Sequence, residues 1–111
     1  MSIQYNNNVF NNVYNIQINQ FSNPLNIKVS DYRNFNNEMI DYGVNIINKA
    51  YSLMNDLKKI AEYIGDSFNS KFPQDEKWNC FIVHRNSIGY RYWCRKFIWF
   101  STNKEDILLF Q

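Results

Sequence analysis

The residues that could support covalent or acid–base chemistry are few and far apart in this sequence. His84 is the only histidine, so a nucleophile pair would have to join it to Cys80 or Cys94. On one strand, positions 80 and 84 share a face but lie about 13 Å apart, too far for a hydrogen bond. The carboxylate pairs Asp75-Glu76 and Glu105-Asp106 fall in predicted loops, where solvated turn residues are usual. The sequence therefore predicts no catalytic nucleophile, and we expect no enzyme.

Metal and phosphate sites are not predicted either. One histidine and two scattered cysteines, with no carboxylate pair beside them at helix or hairpin spacing, do not form a zinc ligand set. The three glycines make neither of the common phosphate-binding loops. We therefore expect no cofactor. Cys80 and Cys94 lie outside any CxxC spacing and are interpreted as small buried hydrophobic residues in a reducing compartment.

The stretch RNSIGYRYWCRKFIWF, residues 85–100, has six aromatic and four basic residues in sixteen positions. Its rings could fill the core of a monomer, or the strand edge could accept an extended peptide. A third interpretation is that single-stranded nucleic acid stacks on it. The side chains for that alternative are Tyr90, Tyr92, Trp93, Arg91 and Arg95. Nucleic acid is the less favoured partner, because the net charge is only +2 and the RNA-binding octamer of aromatic sheets is absent.

The length of 111 residues predicts one domain, with 45% hydrophobic and 18% aromatic residues available for its core. Nine asparagines in the first 26 residues favour turns over regular elements. We therefore interpret residues 1–26 as a flexible extension and residues 27–111 as the domain. No signal-peptide pattern or apolar run of about 18 residues is present, so we expect a cytoplasmic protein without a membrane partner.

The order of the predicted elements is strand, two helices and then consecutive strands. Apolar residues at three- and four-residue steps predict helices over 35–54 and 57–72, with caps at Asn36 or Asn37 and at Asn55 or Asp56. A first strand is predicted at 27–29, with a loop opening at Ser30-Asp31. Aromatic and β-branched runs predict four more strands, at 78–83, 88–94, 96–100 and 107–110. This order indicates an α+β fold with two helices packed on an antiparallel sheet.

Both faces of the predicted strand 96–100 are apolar. Phe97 and Trp99 alternate with Ile98 and Phe100, so one pair faces away from the other. A sheet that is apolar on both faces must be covered twice, and two helices cover only one face. The second cover could be another subunit.

Four blocks of the sequence resemble the small cytoplasmic dynein light chain family. They are IAEYIGDSFNSKF at 60–72, WNCFIVHRN at 78–86, KFIWF at 96–100 and ILLF at 107–110. In order, they are similar to the family's second helix, its W-x-C strand with a following R-N, its H-F-I-Y-F strand and its closing A-I-L-L-F. FNNEM at 35–39 resembles the M-S-x-x-M start of the first helix, so the resemblance covers residues 27–110.

This resemblance implies a homodimer in which two helices flank a five-stranded sheet and one strand is exchanged between the subunits. Residues 87–93 would be that strand, and an extended segment of a partner, such as the dynein intermediate chain, would add beside it. Motor, cytoskeletal and microtubule association is implied as well. The implied peptide-binding groove is formed by Lys58, Ile88, Gly89, Tyr90, Arg91, Tyr92, Trp93 and Trp99. The implied dimer interface is formed by Trp78, Asn79, Tyr90 and Tyr92.

Three departures from the family pattern change what the resemblance implies. Leu57 replaces the acidic residue beside the groove lysine, and residues 91–94 replace the V-T-H-E stretch that contacts targets. The family's Thr-Gln-Thr type of target is therefore not expected, and an acidic peptide residue opposite Arg91 or Arg95 is expected instead. Asn79 stands where the family has an interface histidine, so we do not expect acid to dissociate the dimer near pH 6.

Overall fold

The computed structural model describes residues 23–73, 76–87 and 95–111. Its two helices are α1, Asn37–Leu53, and α2, Leu57–Lys71. Each begins at a residue predicted to cap it, since Asn36 Oδ1 accepts the Met39 N–H at 2.8 Å and Asp56 Oδ1 accepts the Lys58 N–H at 3.0 Å. Helix α2 ends two residues before Pro73, which cannot continue a helix. Neither described helix is long and apolar enough to cross a membrane.

The described strands form one antiparallel sheet in the order β1-β3-β4-β2. They are β1, Lys28–Arg33; β2, Asn79–His84; β3, Phe97–Ser101; and β4, Glu105–Phe110. The predicted α+β class, with two helices on an antiparallel sheet, is confirmed. The predicted strand 88–94 lies outside the described residues, as do residues 1–22 of the predicted extension.

Strand β1 is longer than the sequence indicated. The loop predicted at Ser30-Asp31 is wrong, because the strand continues to Arg33 and takes up one extra residue as a bulge between Val29 and Asp31. Pairing with β3 decides this, and the Ser30 hydroxyl lies 2.7 Å from the hydroxyl of Ser101 on that strand. Local turn preference at Ser and Asp is overridden by a ladder that forms between residues about seventy positions apart.

The core lies between the helices and one face of the sheet. Ile98 and Phe100 of β3 and Ile107 and Leu109 of β4 are at most 1% exposed and pack under the helices. Helix α1 approaches the sheet closely at Gly43, where a Cβ would lie 2.5 Å from Phe100 Cζ. The glycine is therefore needed for the distance between helix and sheet, because the buried Phe100 ring has no room to move aside.

The chain enters the domain through a hydrogen-bonded anchor on α1. Buried Asn48 accepts the Leu25 N–H at 3.1 Å and donates to Asn23 Oδ1 at 2.8 Å. Asn23 Oδ1 also accepts the Ile27 N–H at 3.1 Å, and Ile27 is fully buried. Residues 23–27 are thus fixed to α1 immediately before β1 begins.

A half-buried carboxylate on α1 should make stability depend on pH. Asp41 Oδ1 is buried and has no hydrogen-bond partner among the described residues. Burial raises the pKa of this carboxyl from 3.8 to about 6. A carboxyl whose pKa is higher in the folded state than in the unfolded state opposes folding once it ionises. Its unfavourable contribution to the free energy of folding is absent below the unfolded-state pKa and complete above the folded-state pKa. The protein should therefore lose stability as the pH rises from about 4 to about 6.

We expect Asp41→Asn to raise the free energy of unfolding at pH 7.5 by about 1 kcal/mol, a value reduced for solvent screening of the half-exposed group. At pH 4 the variant and the native protein should have the same urea midpoint, because the native carboxyl is then protonated. Glu62→Gln, which makes the same kind of substitution at an exposed position on α2, is the control and should change the free energy of unfolding little. An equal gain for Asp41→Asn at both pH values would contradict the assignment.

Candidate functional site

A groove of about 300 Å³ lies between α2 and strand β2. Helix α2 contributes one stripe of side chains at three- and four-residue steps, which places them on a single face. The residues of this stripe are Lys58, Ala61, Glu62, Gly65 and Asp66, and the first residues of the opposite wall are Trp78, Asn79 and Cys80. Small residues at positions 61 and 65 leave room between helix and strand. We call this feature the α2–β2 groove.

Charge is distributed unevenly along the α2–β2 groove. Lys58 stands at the first turn of α2, where the helix dipole is also positive, and Glu62 and Asp66 follow toward its C-terminal end. Lys58 and Asp66 are eight residues apart, a rise of about 12 Å along the helix axis. The groove therefore has a positive end and a negative end.

Trp78 forms the inner end of the groove wall and belongs to the core of the subunit. It is 3% exposed, and its ring packs against Phe35 and Phe68 with centroid distances of 5.4 and 5.6 Å. The indole N–H donates to the Phe72 carbonyl at 3.0 Å, and Asn69 Oδ1 accepts the Trp78 backbone N–H at 2.8 Å. These contacts fix the start of β2 against the end of α2.

Cys80 lies next to Trp78 on the wall and is an unreactive thiol. Burial raises its pKa to about 12, so the nucleophilic thiolate is scarce at neutral pH. No cluster of three or more metal-ligating side chains occurs among the described residues. The groove therefore offers shape, backbone and charge, and we find no reactive group in its described lining.

Strand β2 is an outer strand of the described sheet. It pairs with β4 along one side, and no described strand pairs with its other side. In an antiparallel strand about half of the backbone N–H and C=O groups point to each side. The β2 edge beside the groove thus presents backbone groups that an added strand could pair with.

The sheet face turned away from the helices has its own apolar surface. The direct pairs Phe97–Phe110, Trp99–Leu108 and Phe81–Leu108 place these side chains on one face. Phe81 is 55% exposed, and its ring centroid lies 5.2 Å from that of Phe110. We call these five residues the outer face. Its apolar character matches the alternation of apolar residues predicted for the strand at 96–100.

The described residues of the predicted peptide-binding groove and of the predicted dimer interface lie on two different surfaces. Lys58 lies at the α2–β2 groove together with Trp78 and Asn79, which had been assigned to the dimer interface. Trp99 lies on the outer face and does not line the groove. The predicted site residues Ile88, Gly89, Tyr90, Arg91, Tyr92 and Trp93 lie outside the described residues. Arg95 is exposed and forms an ion pair with Glu76 at 3.4 Å.

Sequence reasoning missed two parts of this region. Glu62 and Asp66 were available from the stripe that begins at Lys58, because helical spacing puts all three on one face. Phe81 and Leu108 were available from strand alternation, since each lies one position from a residue of the core face. The sequence therefore indicated which face each residue lies on. It did not indicate which surface that face would form, because this depends on which strands become neighbours.

Leu57, which departs from the resembled pattern, lines a different cavity of about 450 Å³. This cavity lies between residues 24–25, the connection of the two helices and the β3–β4 turn. At its wall the Tyr51 hydroxyl donates to Glu105 Oε1 at 3.0 Å. Burial, followed by the charge of Glu105, raises the pKa of Tyr51, so the tyrosine stays protonated and the bond persists at neutral pH.

No protein-family model matches this sequence, and no curated protein matches it. Among solved structures, the chain is similar to the dynein light chain-like domain of the calcium binding protein FhCaBP2 from Fasciola hepatica, determined as a mercury derivative. The similarity has a TM-score of 0.62 at 12% sequence identity, and it covers 77% of this chain and 90% of that chain. The resemblance predicted from sequence is confirmed at the level of the fold: this chain has a dynein light chain-like fold.

Proposed function

We propose that this protein is a non-enzymatic, homodimeric binding module that holds extended segments of partner proteins by β-strand addition. The observation that carries the proposal is the α2–β2 groove beside an unpaired edge of β2 in the described sheet. Backbone groups at a sheet edge give affinity for any extended chain, and the groove selects among side chains. The dynein light chain-like fold supports a small binding module of this kind.

Dimerisation in this proposal uses the outer face and the strand that follows β2. Phe81, Leu108 and Phe110 form an apolar surface that the helices of the same subunit do not cover, and such a surface marks an interaction site. Residues 87–93 are proposed as the exchanged strand, which pairs with the free edge of β2 in the second subunit and offers its own free edge, beside the α2–β2 groove, to the extended segment. A two-fold dimer has two identical grooves, so it would bind two segments of one partner or align two copies of a partner. Binding of the first segment raises the effective concentration of the second segment at its groove.

The charges of the groove define the proposed target more closely. An extended peptide rises about 3.3 Å per residue, so the 12 Å between Lys58 and Asp66 corresponds to about four residues. Residues four apart in a strand point to the same side. The target should therefore have an acidic side chain near Lys58 and a basic one four positions away, near Asp66. Association with a dynein intermediate chain, and thereby with microtubules in the cytoplasm, is proposed for this same site.

A pair of synthetic extended peptides tests this function. One peptide has Asp and Lys four residues apart between alternating Val and Thr; the other has the same composition with the two charges interchanged. Both peptides have the dye at the same terminus, and because an added strand can run in either direction, the two charge orders together cover both directions. We expect one order to bind best by fluorescence anisotropy, and Lys58→Glu to weaken that order about fivefold, corresponding to the ~1 kcal/mol of an exposed ion pair.

Lys59→Glu is the matched control, because it makes the same charge change one residue away at a position that does not line the groove. It should leave the affinity unchanged, and 0.5 M salt should reduce the effect of Lys58→Glu. Equal effects of the two variants would contradict a role for Lys58 in the groove. Absence of binding by every extended peptide, including peptides selected from a random library, would contradict the function itself.

A further inference from the structure

A buried carboxylate fixes the turn through which the chain leaves β2. Asp106 of β4 is 2% exposed, and its side chain has a hydrogen bond on each oxygen. Oδ1 accepts the Ser101 hydroxyl at 2.9 Å, and Oδ2 accepts the backbone N–H of Asn86 at 3.0 Å. One side chain therefore connects strand β4 to strand β3 and to the turn after β2.

The hydrogen bonds on the sheet side of Asp106 have a fixed direction. The single hydroxyl hydrogen of Ser101 goes to Asp106, so in the 2.7 Å contact of Ser30 with Ser101 the donor must be Ser30. Ser30 is the bulge residue of β1. The bulge thus places a donor that completes a chain of hydroxyls ending on the carboxylate.

The turn itself is held at several further points. The Arg85 N–H donates to the Lys104 carbonyl at 3.0 Å, and the Ser87 N–H donates to the His84 carbonyl at 3.2 Å. Asn86 adopts a φ of 63°, a left-handed conformation that asparagine tolerates better than most residues. The Asp106 carboxylate therefore fixes Asn86, the residue of the turn whose backbone conformation is unusual.

We propose that Asp106 is a positioning residue for dimerisation: it holds the Asn86 turn so that the strand after it extends toward a second subunit. This inference rests on the proposed strand-exchanged dimer. In such a dimer the hinge decides whether the following strand pairs within its own subunit or with its partner. When the turn is hydrogen-bonded to the buried carboxylate of β4, we expect the following strand to be directed to the second subunit. Without this hydrogen bond, the strand could pair either within its own subunit or with the second one.

Asp106→Ser and Asp106→Asn in the full chain test this role. Serine keeps a hydroxyl for Ser101 but is too short to reach Asn86, whereas the asparagine oxygen still accepts the Asn86 N–H while its amide donates to Ser101. By sedimentation equilibrium, Asp106→Ser should raise the dimer dissociation constant at least tenfold, and Asp106→Asn should stay within about threefold of the native protein. Hydrogen exchange of the Asn86 amide should accelerate in the serine variant alone.

Asn48→Ala is the control for general destabilisation, because it removes a buried side chain that is hydrogen-bonded to residues 23 and 25 and not to the Asn86 turn. It should lower the unfolding midpoint without changing Asn86 exchange or the dissociation constant measured where the protein is folded. If Asp106→Ser does not fold, Asn86→Ala disturbs the same turn from outside the core and should weaken the dimer in the same way.

The outcomes separate this inference from the proposed function. A native protein that is monomeric in dilute solution would overturn the dimer and this inference together. A native dimer whose dissociation constant is unchanged by Asp106→Ser, or by Asn86→Ala where the serine variant does not fold, would overturn the role of Asp106 and leave the binding module in place. Weakening by Asn48→Ala to the same extent would show general destabilisation and would also overturn it.

Discussion

Phe81→Glu is expected to sediment as a 13.4 kDa monomer at concentrations where the native protein forms the proposed dimer. Phe81 is 55% exposed in the isolated subunit and lies on the outer strand of the sheet, on a face that also contains Leu108. By two-fold symmetry each dimer would bury two copies of this residue. An unpaired carboxylate buried at both positions costs several kcal/mol, so the dissociation constant should rise at least a hundredfold, equivalent to about 2.7 kcal/mol.

Leu53→Glu is the control for this experiment. Leu53 is 61% exposed at the last position of α1 and is not one of the outer-face residues, so the same gain of charge at a similarly exposed apolar residue should leave the proposed dimer intact. The Phe81 variant should keep the native circular dichroism spectrum, because an exposed substitution changes the stability of the subunit little. A Phe81→Glu dimer with native affinity would show that the outer face is not the subunit interface.

Trp78→Ala is expected to lower the free energy of unfolding by about 3–5 kcal/mol. The substitution removes the largest side chain at the junction of α2 and β2, together with its hydrogen bond to the Phe72 carbonyl. Domains of this size have total stabilities of about 5–15 kcal/mol, so the variant should be partly unfolded at 37 °C. Urea unfolding followed by circular dichroism measures the change without relying on tryptophan fluorescence.

Trp78→Phe separates the packing of the ring from its hydrogen bond. A phenyl ring keeps most contacts with Phe35 and Phe68 but lacks the donor, so a loss of about 1–2 kcal/mol is expected. The shift in midpoint should be the same at low and high protein concentration, because the side chain is already buried within one subunit. A loss below about 1 kcal/mol for Trp78→Ala, or a shift found only at low concentration, would place the residue at the interface instead.

Both helices and their beginnings were predictable from sequence because they depend on neighbouring residues. The apolar steps in α1 and α2 recur within each helix, and the caps Asn36 and Asp56 bond to backbone two or three residues ahead. Strands β2, β3 and β4 were predictable for a similar reason, since β-branched and aromatic runs between turn residues are local signals. The α+β class follows from the order of these elements alone.

The candidate site was predictable only in part. Lys58 was assigned to a groove from the resemblance, and the structure places it at the α2–β2 groove, where peptide binding remains a proposal. Trp99 lies on the outer face, and its assignment to a peptide groove stays a prediction, because strand alternation gives two faces without saying what covers each. The sequence also could not show that Trp78 is packed inside its own subunit.

What the sequence by itself determined is the set of elements, their caps and the excess of apolar surface on the sheet. Only the tertiary structure decided the strand order β1-β3-β4-β2, which brings Ser30 to Ser101 and continues β1 past its predicted end. It also decided that Asp106, which a local interpretation assigns to solvent, is buried and holds Asn86. The reason is that pairing between distant strands overrides local turn preference, and a carboxylate can be buried only where distant donors meet it.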